Sequence, residues 1–264
     1  MEFLKDTVAV ILAGGRGTRF GSQTTDIPKP LIKIGDKPII WHIMKMYSYY
    51  GINNFIICSG YLQQEIKKYF MNMYLESGDI QINVVTGEYL YSSTLCKEPW
   101  NIKIIDTGLD TETGGRFGRI KKYVKDEPFF CATYGDSLTN VNIADSIKFH
   151  LRHKKQATVC VHDLPGRFGE LKVDNKSMIS DYTEKPSHTG SNINAGFYVL
   201  NPSVLDLVEG DDCVWERGPL PQLVKLNQLA GFHYGGFWHP MDSEGDRVNL
   251  NNMWVTKKAP WKVW

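Results

Sequence analysis

The strongest constraint on the fold of this chain is a short apolar run at residues 7–12, which ends at Gly14 and Gly15. A continuous apolar run bounded by glycines is typical of a strand buried on both faces, and such strands occur in parallel sheets that helices cover. Segments typical of strands and of amphipathic helices then alternate up to about residue 160. This alternation predicts an α/β fold, Rossmann-like, with a doubly wound and mostly parallel sheet.

Residue spacing predicts the individual elements. A helix begins after Pro38 and ends at Gly51, and further helices are predicted near residues 66–70, 116–124, 142–153 and 219–229. Strand-like runs lie at residues 54–59, 80–85, 102–106, 129–134 and 157–162. Between residues 168 and 200, short strands and turns predict a β-rich lobe at about 165–200. We expect a single domain, 1–264, with this lobe for the substrate and an aromatic C-terminal segment at about 245–264.

The charge balance narrows the range of partners. Lys plus Arg number 30 and Asp plus Glu 29, and the net charge of +1 argues against binding to nucleic acid or to an anionic membrane. The longest apolar run, residues 8–13, is far shorter than the roughly 20 residues that cross a bilayer. The first residues show no signal-peptide pattern, and the five cysteines are widely spaced without a Cys-x-x-Cys pair. We therefore expect a cytoplasmic globular protein.

The loop after the first strand predicts a phosphate-binding site. Its glycines let the backbone approach a ligand and point N–H groups at anionic oxygens. The loop does not fit Gly-x-Gly-x-x-Gly, because Phe20 fills the last position, and it is not a Walker A loop. Its two arginines, Arg16 and Arg19, together with Lys29 downstream, favour a triphosphate or pyrophosphate over a dinucleotide. The alternative is a tight strand-to-helix turn with solvated arginines.

A carboxylate follows the strand predicted at residues 129–134. Asp136 comes after Gly135, at the carboxyl end of that strand, where ligands of open α/β sheets bind. It is well placed to hold Mg²⁺ against a triphosphate, and Asp242 would be a second ligand. The alternatives are an Asp that caps the following loop and, for Asp242, an ordinary turn residue.

Several motifs, taken in chain order, resemble those of one enzyme family. They are Gly14-Gly15-x-Gly17-Thr18-Arg19, Pro28-Lys29-Pro30, Thr113-Gly114-Gly115-Arg116, Tyr134-Gly135-Asp136, Glu184-Lys185-Pro186, Gly236-Phe237-Trp238 and Pro240-Met241-Asp242. The first of them resemble the signature of the sugar-phosphate nucleotidylyltransferases. The whole set is similar to the glucose-1-phosphate cytidylyltransferases, over a stretch from about residue 7 to Trp264.

The resemblance implies a reaction in which CTP and α-D-glucose 1-phosphate give CDP-glucose and pyrophosphate for surface polysaccharide. The sugar phosphate attacks the α-phosphorus in line with the help of Mg²⁺. The implied fold is of the nucleotide-diphospho-sugar transferase type with a small β-rich sugar-binding lobe. The implied assembly is a homo-oligomer, for which the family suggests a hexamer.

The resemblance also implies the site residues. The catalytic residues would be Arg19, Lys29 and Asp136, and the metal ligands Asp136 and Asp242. The nucleotide would be bound by Leu12, Ala13, Gly14, Gly15, Gly17, Thr18, Arg19, Lys29, Thr111, Arg116 and Gly135. The sugar phosphate would be bound by Glu184, Lys185, Asn194 and Gly196.

Three departures from the family pattern leave alternatives open. Residues 20–26 differ from the acidic stretch associated with the glucose-specific enzymes. Ala195 stands where those enzymes usually carry glycine, and residues 243–247 differ just after Asp242. The same reaction with dTTP or UTP, or with another phosphorylated acceptor, is therefore an alternative. A non-catalytic nucleotide sensor is a further one, against which the pair of metal carboxylates argues. Trp238 and the C-terminal tryptophans are interpreted as core or subunit interface rather than as a sugar platform.

Overall fold

The apolar run at residues 7–12 forms β1 (Val8–Leu12), in which every residue is buried. The computed structural model describes residues 4–18, 20, 24–92, 98–163, 170–173, 179–183 and 192–264. After β1 the elements are β2 (Lys33–Ile34), β3 (Lys37–Pro38), α1 (Ile39–Tyr49), β4 (Asn54–Ser59), α2 (Gln63–Leu75), β5 (Asp79–Ile82), β6 (Tyr89–Ser92), β7 (Asn101–Asp106), α3 (Thr113–Val124), β8 (Phe130–Tyr134), β9 (Ser137–Thr139), α4 (Ile143–His153), β10 (Ala157–Asp163), β11 (Glu170–Val173), β12 (Ile179–Thr183), β13 (Asn192–Leu200), α5 (Pro219–Lys225), β14 (Leu229–His233), β15 (Trp238–Pro240) and α6 (Glu244–Val255). Two 3₁₀ turns, Lys29–Leu31 and Pro202–Leu207, lie between these elements.

Seven strands form one sheet in the order β14-β10-β13-β8-β1-β4-β7. β1 pairs in parallel with both β4 and β8, and β4 pairs in parallel with β7. β13 is antiparallel to its neighbours β8 and β10, whereas β10 and β14 are parallel. The predicted mostly parallel sheet is therefore confirmed, and β13 runs against the direction of the other six.

Successive side chains of β1 enter two different hydrophobic cores, as the two-residue period of a strand requires. Ala9 and Ile11 pack in the core that contains α1 and α4, whereas Val8, Val10 and Leu12 pack in the core that contains α3 and α5. Helices on both faces of a parallel sheet make the doubly wound architecture expected from the sequence. Within the part of the chain that the structure describes, no helix is both long and apolar enough to cross a membrane.

Two segments differ from their predicted placement. The strand predicted at residues 80–85 ends at Ile82 and pairs only with β6, in a hairpin outside the central sheet. The turn explains this, because the Gly87 N–H donates to the Asn83 carbonyl at 2.8 Å, the Asn83 N–H donates to the Glu88 carbonyl at 2.9 Å, and Gly87 has a φ of 75°. β13 falls inside the predicted β-rich lobe but pairs within the central sheet, because its last six residues, Ala195–Leu200, are buried against β8 and β10. The lobe's bounds stay a prediction, with β11 and β12 as its paired strands.

The aromatic C-terminal segment contains a helix that the sequence interpretation missed. Ser243 caps α6 by accepting from the Asp246 backbone N–H at 3.2 Å, while the Asp246 carboxylate accepts from the Ser243 N–H at 2.8 Å. Beyond the helix, Trp261 is fully buried and packs edge-on against His42 of α1. The C-terminal tryptophans therefore belong to the core, as one of the two interpretations proposed.

Candidate active site

The strand order creates a crevice beside β1. The chain leaves β1 towards β4 on one side, while β8 lies on the other side, so the loops after β1 and β8 separate at the carboxyl ends of these strands. Ligands of open α/β sheets bind at such a switch point. A cleft of about 1020 Å³ opens there, between the loop after β1, the loop before α3, the end of β8 and the strand β13.

Most of the site residues suggested by the sequence line this cleft. They are Leu12, Ala13, Gly14, Gly15, Gly17, Thr18, Lys29, Thr111, Arg116, Gly135, Asp136, Asn194, Gly196 and Asp242. Arg19, Glu184 and Lys185 lie outside the described residues. Residues from six separate stretches of the chain thus meet in one concave surface, which is the arrangement expected of a small-molecule site.

The glycine loop can be built only with glycine at two positions. Gly17 has a φ of 63°, in the left-handed region that side chains rarely adopt, and it packs against Lys29. A Cβ on Gly14 would collide with the guanidinium of Arg116. The loop therefore runs closely over Arg116 and Lys29, with its backbone facing the cleft.

Arg116 holds the loops that flank the cleft. This buried side chain donates to the Gly14 carbonyl at 3.0 Å, to the Gly108 carbonyl at 2.8 Å and to the Thr107 hydroxyl at 2.8 Å. Burial lowers the pKa of its guanidinium from the ordinary value. The fork of donors joins the loop after β1 to the loop after β7, so Arg116 fixes the backbone of both loops on this side of the cleft.

Lys29, Asp136 and Asp242 form a cluster that we call the carboxylate centre. The Lys29 ammonium donates to Asp136 Oδ2 and to Asp242 Oδ1, both at 2.8 Å. The lysine side chain is 9% exposed, and the two carboxylates are 29% and 30% exposed. Among the described residues no three His, Cys, Asp or Glu side chains converge, so a metal here would take two protein carboxylates and complete its shell from substrate and water.

Strand pairing brings the two carboxylates together although they are far apart in sequence. β9 pairs with β15, with Ser137 opposite Pro240, and the Met241 N–H donates to the Asp136 carbonyl at 2.8 Å. Asp242 follows directly and donates its own N–H to the Asp246 carboxylate at 3.0 Å. The residues after Asp242 that depart from the family pattern therefore cap α6 and fix the backbone of this carboxylate.

On the opposite wall, hydrogen bonds link Asn194 to Glu216 through two tyrosines. We call these four residues the tyrosine chain. Asn194 accepts from the Gly196 N–H at 2.8 Å and donates to the Tyr198 hydroxyl at 2.6 Å. The hydroxyls of Tyr198 and Tyr134 lie 3.2 Å apart, and Tyr134 donates to Glu216. Since the Tyr134 proton goes to Glu216, Tyr198 must donate to Tyr134, and the orientation of the Asn194 amide is fixed.

The far end of the tyrosine chain is tied to α3. The Glu216 carboxylate also accepts from the Thr113 hydroxyl at 2.8 Å, and the same hydroxyl accepts from the Trp215 N–H at 2.9 Å. Burial raises the pKa of Tyr198 to about 12 and that of Tyr134 well above its usual range, so both phenols keep their protons at neutral pH. This wall is thus built from neutral groups that end on one carboxylate.

An ion pair spans the mouth of the cleft between the loop after β1 and the loop after β7. Arg16 in the glycine loop donates to Asp110 at 2.8 Å, and its guanidinium lies over the Tyr61 ring, 5.7 Å from the centroid. The side chains are 51% and 78% exposed. The pair joins the same two loops that Arg116 joins beneath it, but in solvent, where such pairs are weak.

The site residues suggested by the sequence do not include every residue that lines the wall of the tyrosine chain. Tyr134, Glu216 and Trp238 line the cleft, and Trp238 donates its indole N–H to the Ala195 carbonyl at 2.7 Å. Tyr134 stands inside a motif already noted, next to Gly135, so its neighbourhood could have indicated a role. No local pattern distinguishes Glu216, because its function depends on strands that are distant in sequence.

Comparison with known proteins gives relatives over the whole length. A family model described as nucleotidyl transferase matches residues 8–218. The chain is 46% identical to a glucose-1-phosphate cytidylyltransferase of Salmonella typhimurium over 256 residues, which cover 97% of this chain and 99% of the relative. It is 42% identical to a probable glucose-1-phosphate cytidylyltransferase of Bacillus subtilis over 257 residues, again with 97% and 99% covered.

Solved structures share the fold at low sequence identity. HddC from Yersinia pseudotuberculosis superposes with a TM-score of 0.65 at 19% identity, covering 94% of this chain and 99% of that one. A UDP-glucose pyrophosphorylase in complex with UDP-glucose gives a TM-score of 0.67 at 16% identity, with 95% and 99% covered. At such identities the likeness concerns the architecture alone, which agrees with the mostly parallel α/β sheet expected from the sequence.

Proposed function

Because the chain belongs to the nucleotidyl transferase family, we propose that it joins CTP and α-D-glucose 1-phosphate into CDP-glucose and pyrophosphate. A phosphate oxygen of the sugar 1-phosphate attacks the α-phosphorus of CTP in line. The bond from that phosphorus to the bridging oxygen breaks, and pyrophosphate leaves with the oxygen. The observation that carries the proposal is the carboxylate centre, where Lys29 meets Asp136 and Asp242 beside a glycine loop.

Each wall of the cleft takes a separate part in the proposed reaction. The backbone N–H groups from Gly14 to Thr18 and the positive charges of Arg19 and Lys29 neutralise the triphosphate. Thr111, Arg116 and Gly135 shape the space for the nucleoside. Catalysis of this transfer is mainly positioning and charge neutralisation, for which no covalent intermediate with the protein is needed.

The acceptor occupies the opposite wall in this proposal. Asn194 and Gly196 bind the sugar phosphate together with Glu184 and Lys185. The fixed amide of Asn194 supports this role, since an oriented donor is ready for a phosphate or a hydroxyl oxygen.

We infer that Mg²⁺ is the cofactor and that Asp136 and Asp242 hold it. Two carboxylates whose oxygens both lie 2.8 Å from one ammonium suit a hard divalent cation that also binds substrate phosphates. When bound, the metal supplies charge neutralisation at the reacting phosphates.

The decisive experiment assays four nucleoside triphosphates against a panel of sugar 1-phosphates and follows pyrophosphate release. CTP with glucose 1-phosphate should give the highest kcat/KM. Turnover with dTTP or UTP but not CTP, or with a different acceptor only, would replace the substrates and keep the reaction. CTP binding by calorimetry without turnover on any acceptor would show a nucleotide sensor and refute the enzyme.

We infer a homo-oligomer, for which the family resemblance suggests a hexamer, that contacts through the β5–β6 hairpin. Six apolar side chains of this hairpin are 47% to 92% exposed, namely Ile80, Ile82, Val84, Val85, Tyr89 and Leu90. Ile80, Ile82 and Tyr89 share one face of the hairpin, since Ile82 pairs opposite Tyr89. An exposed apolar face of this kind marks an interaction site. Val85→Asp should shift the mass measured by light scattering to a smaller species, while Leu226→Asp, an exposed apolar site near β14 at the other sheet edge, should leave it unchanged.

The proposed product suggests a pathway, and the buried cysteines suggest a cellular compartment. We propose that the CDP-sugar serves surface polysaccharide synthesis and that the enzyme works in the cytoplasm. Cys58, Cys131 and Cys160 are buried and unbridged, and burial raises the pKa of Cys58 and Cys160 to about 12. Such inert thiols suit a reducing compartment.

A further inference from the structure

Lys29 holds carboxylate oxygens that a shared metal ion would use. Its ammonium lies 2.8 Å from one oxygen of Asp136 and 2.8 Å from one oxygen of Asp242. A magnesium ion would take carboxylate oxygens at about 2.1 Å, closer than the ammonium lies. The ammonium and the metal therefore compete for the same two carboxylates.

Electrostatics adds to the competition between the Lys29 ammonium and a divalent cation. The ammonium cancels part of the negative charge of the two carboxylates, and the lysine side chain is only 9% exposed. A divalent cation that approached the pair would therefore be attracted by less negative charge than the two carboxylates alone present, in a medium less polar than water. With the ammonium absent, the same two carboxylates would present two negative charges to the cation.

The glycine loop connects Lys29 to the triphosphate site. A Cβ added to Gly17 would lie 3.2 Å from the Cβ of Lys29, so the two backbones run close together. Lys29 stands between Pro28 and Pro30 and begins the 3₁₀ turn Lys29–Leu31. Its backbone is therefore fixed beside the loop, while the ammonium at the end of four methylene groups can exchange a carboxylate for a phosphate oxygen. A triphosphate on the loop offers it several such oxygens.

We propose that Lys29 closes the carboxylate centre to divalent cations until a nucleotide enters. The phosphates draw the ammonium away from Asp136 and Asp242, and the metal then enters with the nucleotide. The proposal rests on the proposed function for the identity of the triphosphate, but the competition itself involves only residues of this chain. Its consequence is an obligatory order, in which metal and nucleotide bind together and the nucleotide-free protein takes up little metal.

The test measures Mn²⁺ binding by calorimetry, with no sugar phosphate and no turnover. Nucleotide-free Lys29→Met should bind Mn²⁺ about tenfold tighter than the wild type, or more, because the competing charge is gone. Lys29→Met/Asp136→Asn should lose this gain, and Lys33→Met, an exposed lysine four residues further on, should behave as the wild type. Equal affinity of Lys29→Met and wild type overturns the proposal.

Two further measurements keep the result independent of folding and of substrate identity. Lys29→Gln is the second variant. Mn²⁺ should raise the melting temperature of this variant and leave that of the nucleotide-free wild type unchanged. Equal responses of the two proteins count against the proposal.

A CTP analogue with a methylene group between its α- and β-phosphates should increase Mn²⁺ uptake by the wild type. If the analogue binds without that increase, the proposed order is overturned. If the analogue does not bind, the proposed function fails, and the comparison of wild type with Lys29→Met still decides the competition.

Discussion

The two walls of the cleft are organised by different forces. The carboxylate centre brings three charged groups within hydrogen-bonding distance. In the tyrosine chain, hydrogen bonds through two neutral phenols connect the Asn194 amide to one carboxylate and so fix the orientation of that amide. Charge acts in every direction and suits the neutralisation of phosphates. A chain of directed hydrogen bonds suits the positioning of one amide. The difference suggests that changes to the first wall affect the rate of reaction and that changes to the second affect acceptor binding.

The largest effect is expected from the charged wall. Asp136→Asn should lower kcat for pyrophosphate release by about 10³-fold, because it removes a proposed metal ligand without changing the shape of the side chain. The assay is pyrophosphate release from CTP and glucose 1-phosphate. Asp126→Asn, at an exposed aspartate outside the cleft, is the matched control. A kcat close to that of the wild type would exclude Asp136 from the reaction.

A buried histidine of α1 makes the stability of the fold depend on pH. His42 is buried, and its Nε2–H donates to the Ile34 carbonyl at 2.9 Å, so its Nδ1 is unprotonated and faces the Trp261 indole N–H at 3.4 Å. Burial lowers the pKa of His42 to about 4, against a smaller opposing effect of Asp36. The unfolded chain takes up the proton below about pH 6.5 and the folded chain only below about pH 4. Stability is therefore intact above pH 6.5 and falls as the pH drops towards 4.

Urea unfolding at several pH values measures this loss. The free energy of unfolding should decrease by about 3 kcal/mol between pH 6.5 and pH 4 on account of His42. His42→Gln keeps a donor for the Ile34 carbonyl and should remove most of this dependence, while His233→Gln, at an exposed histidine, should retain it. The same pH slope in His42→Gln as in the wild type would show that the loss arises elsewhere.

Local sequence predicted the charged wall better than the neutral one. Gly17, Lys29 and Asp136 each stand in a short motif whose chemistry is evident from neighbouring residues, and all three line the cleft. The capping pair Ser243 and Asp246 was also present in the sequence, although the aromatic residues around it drew the interpretation towards a tail. The parallel direction of most strands follows from the alternation of elements, because parallel strands need helical crossovers.

The remainder depends on contacts between distant residues. The tyrosine chain requires β13 to lie beside β8, and the sequence assigned β13 to a separate lobe. Arg116 donates to the Gly14 carbonyl, which is 102 residues away in the sequence, and no spacing rule anticipates that bond. Glu216 lies outside any regular element and receives hydroxyls from β8 and α3. Such pairings are fixed by packing, and a single sequence does not record them.

A smaller effect is expected from the neutral wall. Tyr198→Phe removes the acceptor for the Asn194 amide and the donor to Tyr134, at a cost of about 1 kcal/mol for each net hydrogen bond. The KM for the sugar phosphate should rise about fivefold, while the KM for CTP and the pH profile stay unchanged. Tyr49→Phe, on the exposed side of α1, is the control. An equal rise in both KM values would mean that Tyr198 supports the fold in general rather than the acceptor wall.

The smallest effect on substrate binding is expected at the mouth of the cleft, where the ion pair between Arg16 and Asp110 is exposed to solvent. Asp110→Asn releases Arg16 from an exposed pair that holds it weakly, and the freed guanidinium can turn to the triphosphate. CTP should therefore bind about twofold tighter, and the gain should vanish at high salt because exposed charges are screened. Asp211→Asn breaks a similarly exposed pair with Arg119 outside the cleft and should not change CTP binding. Weaker CTP binding in Asp110→Asn would instead show that Asp110 contacts the nucleotide. The loop between β7 and α3 would then contribute a charged contact to the substrate as well as an ion pair with Arg16.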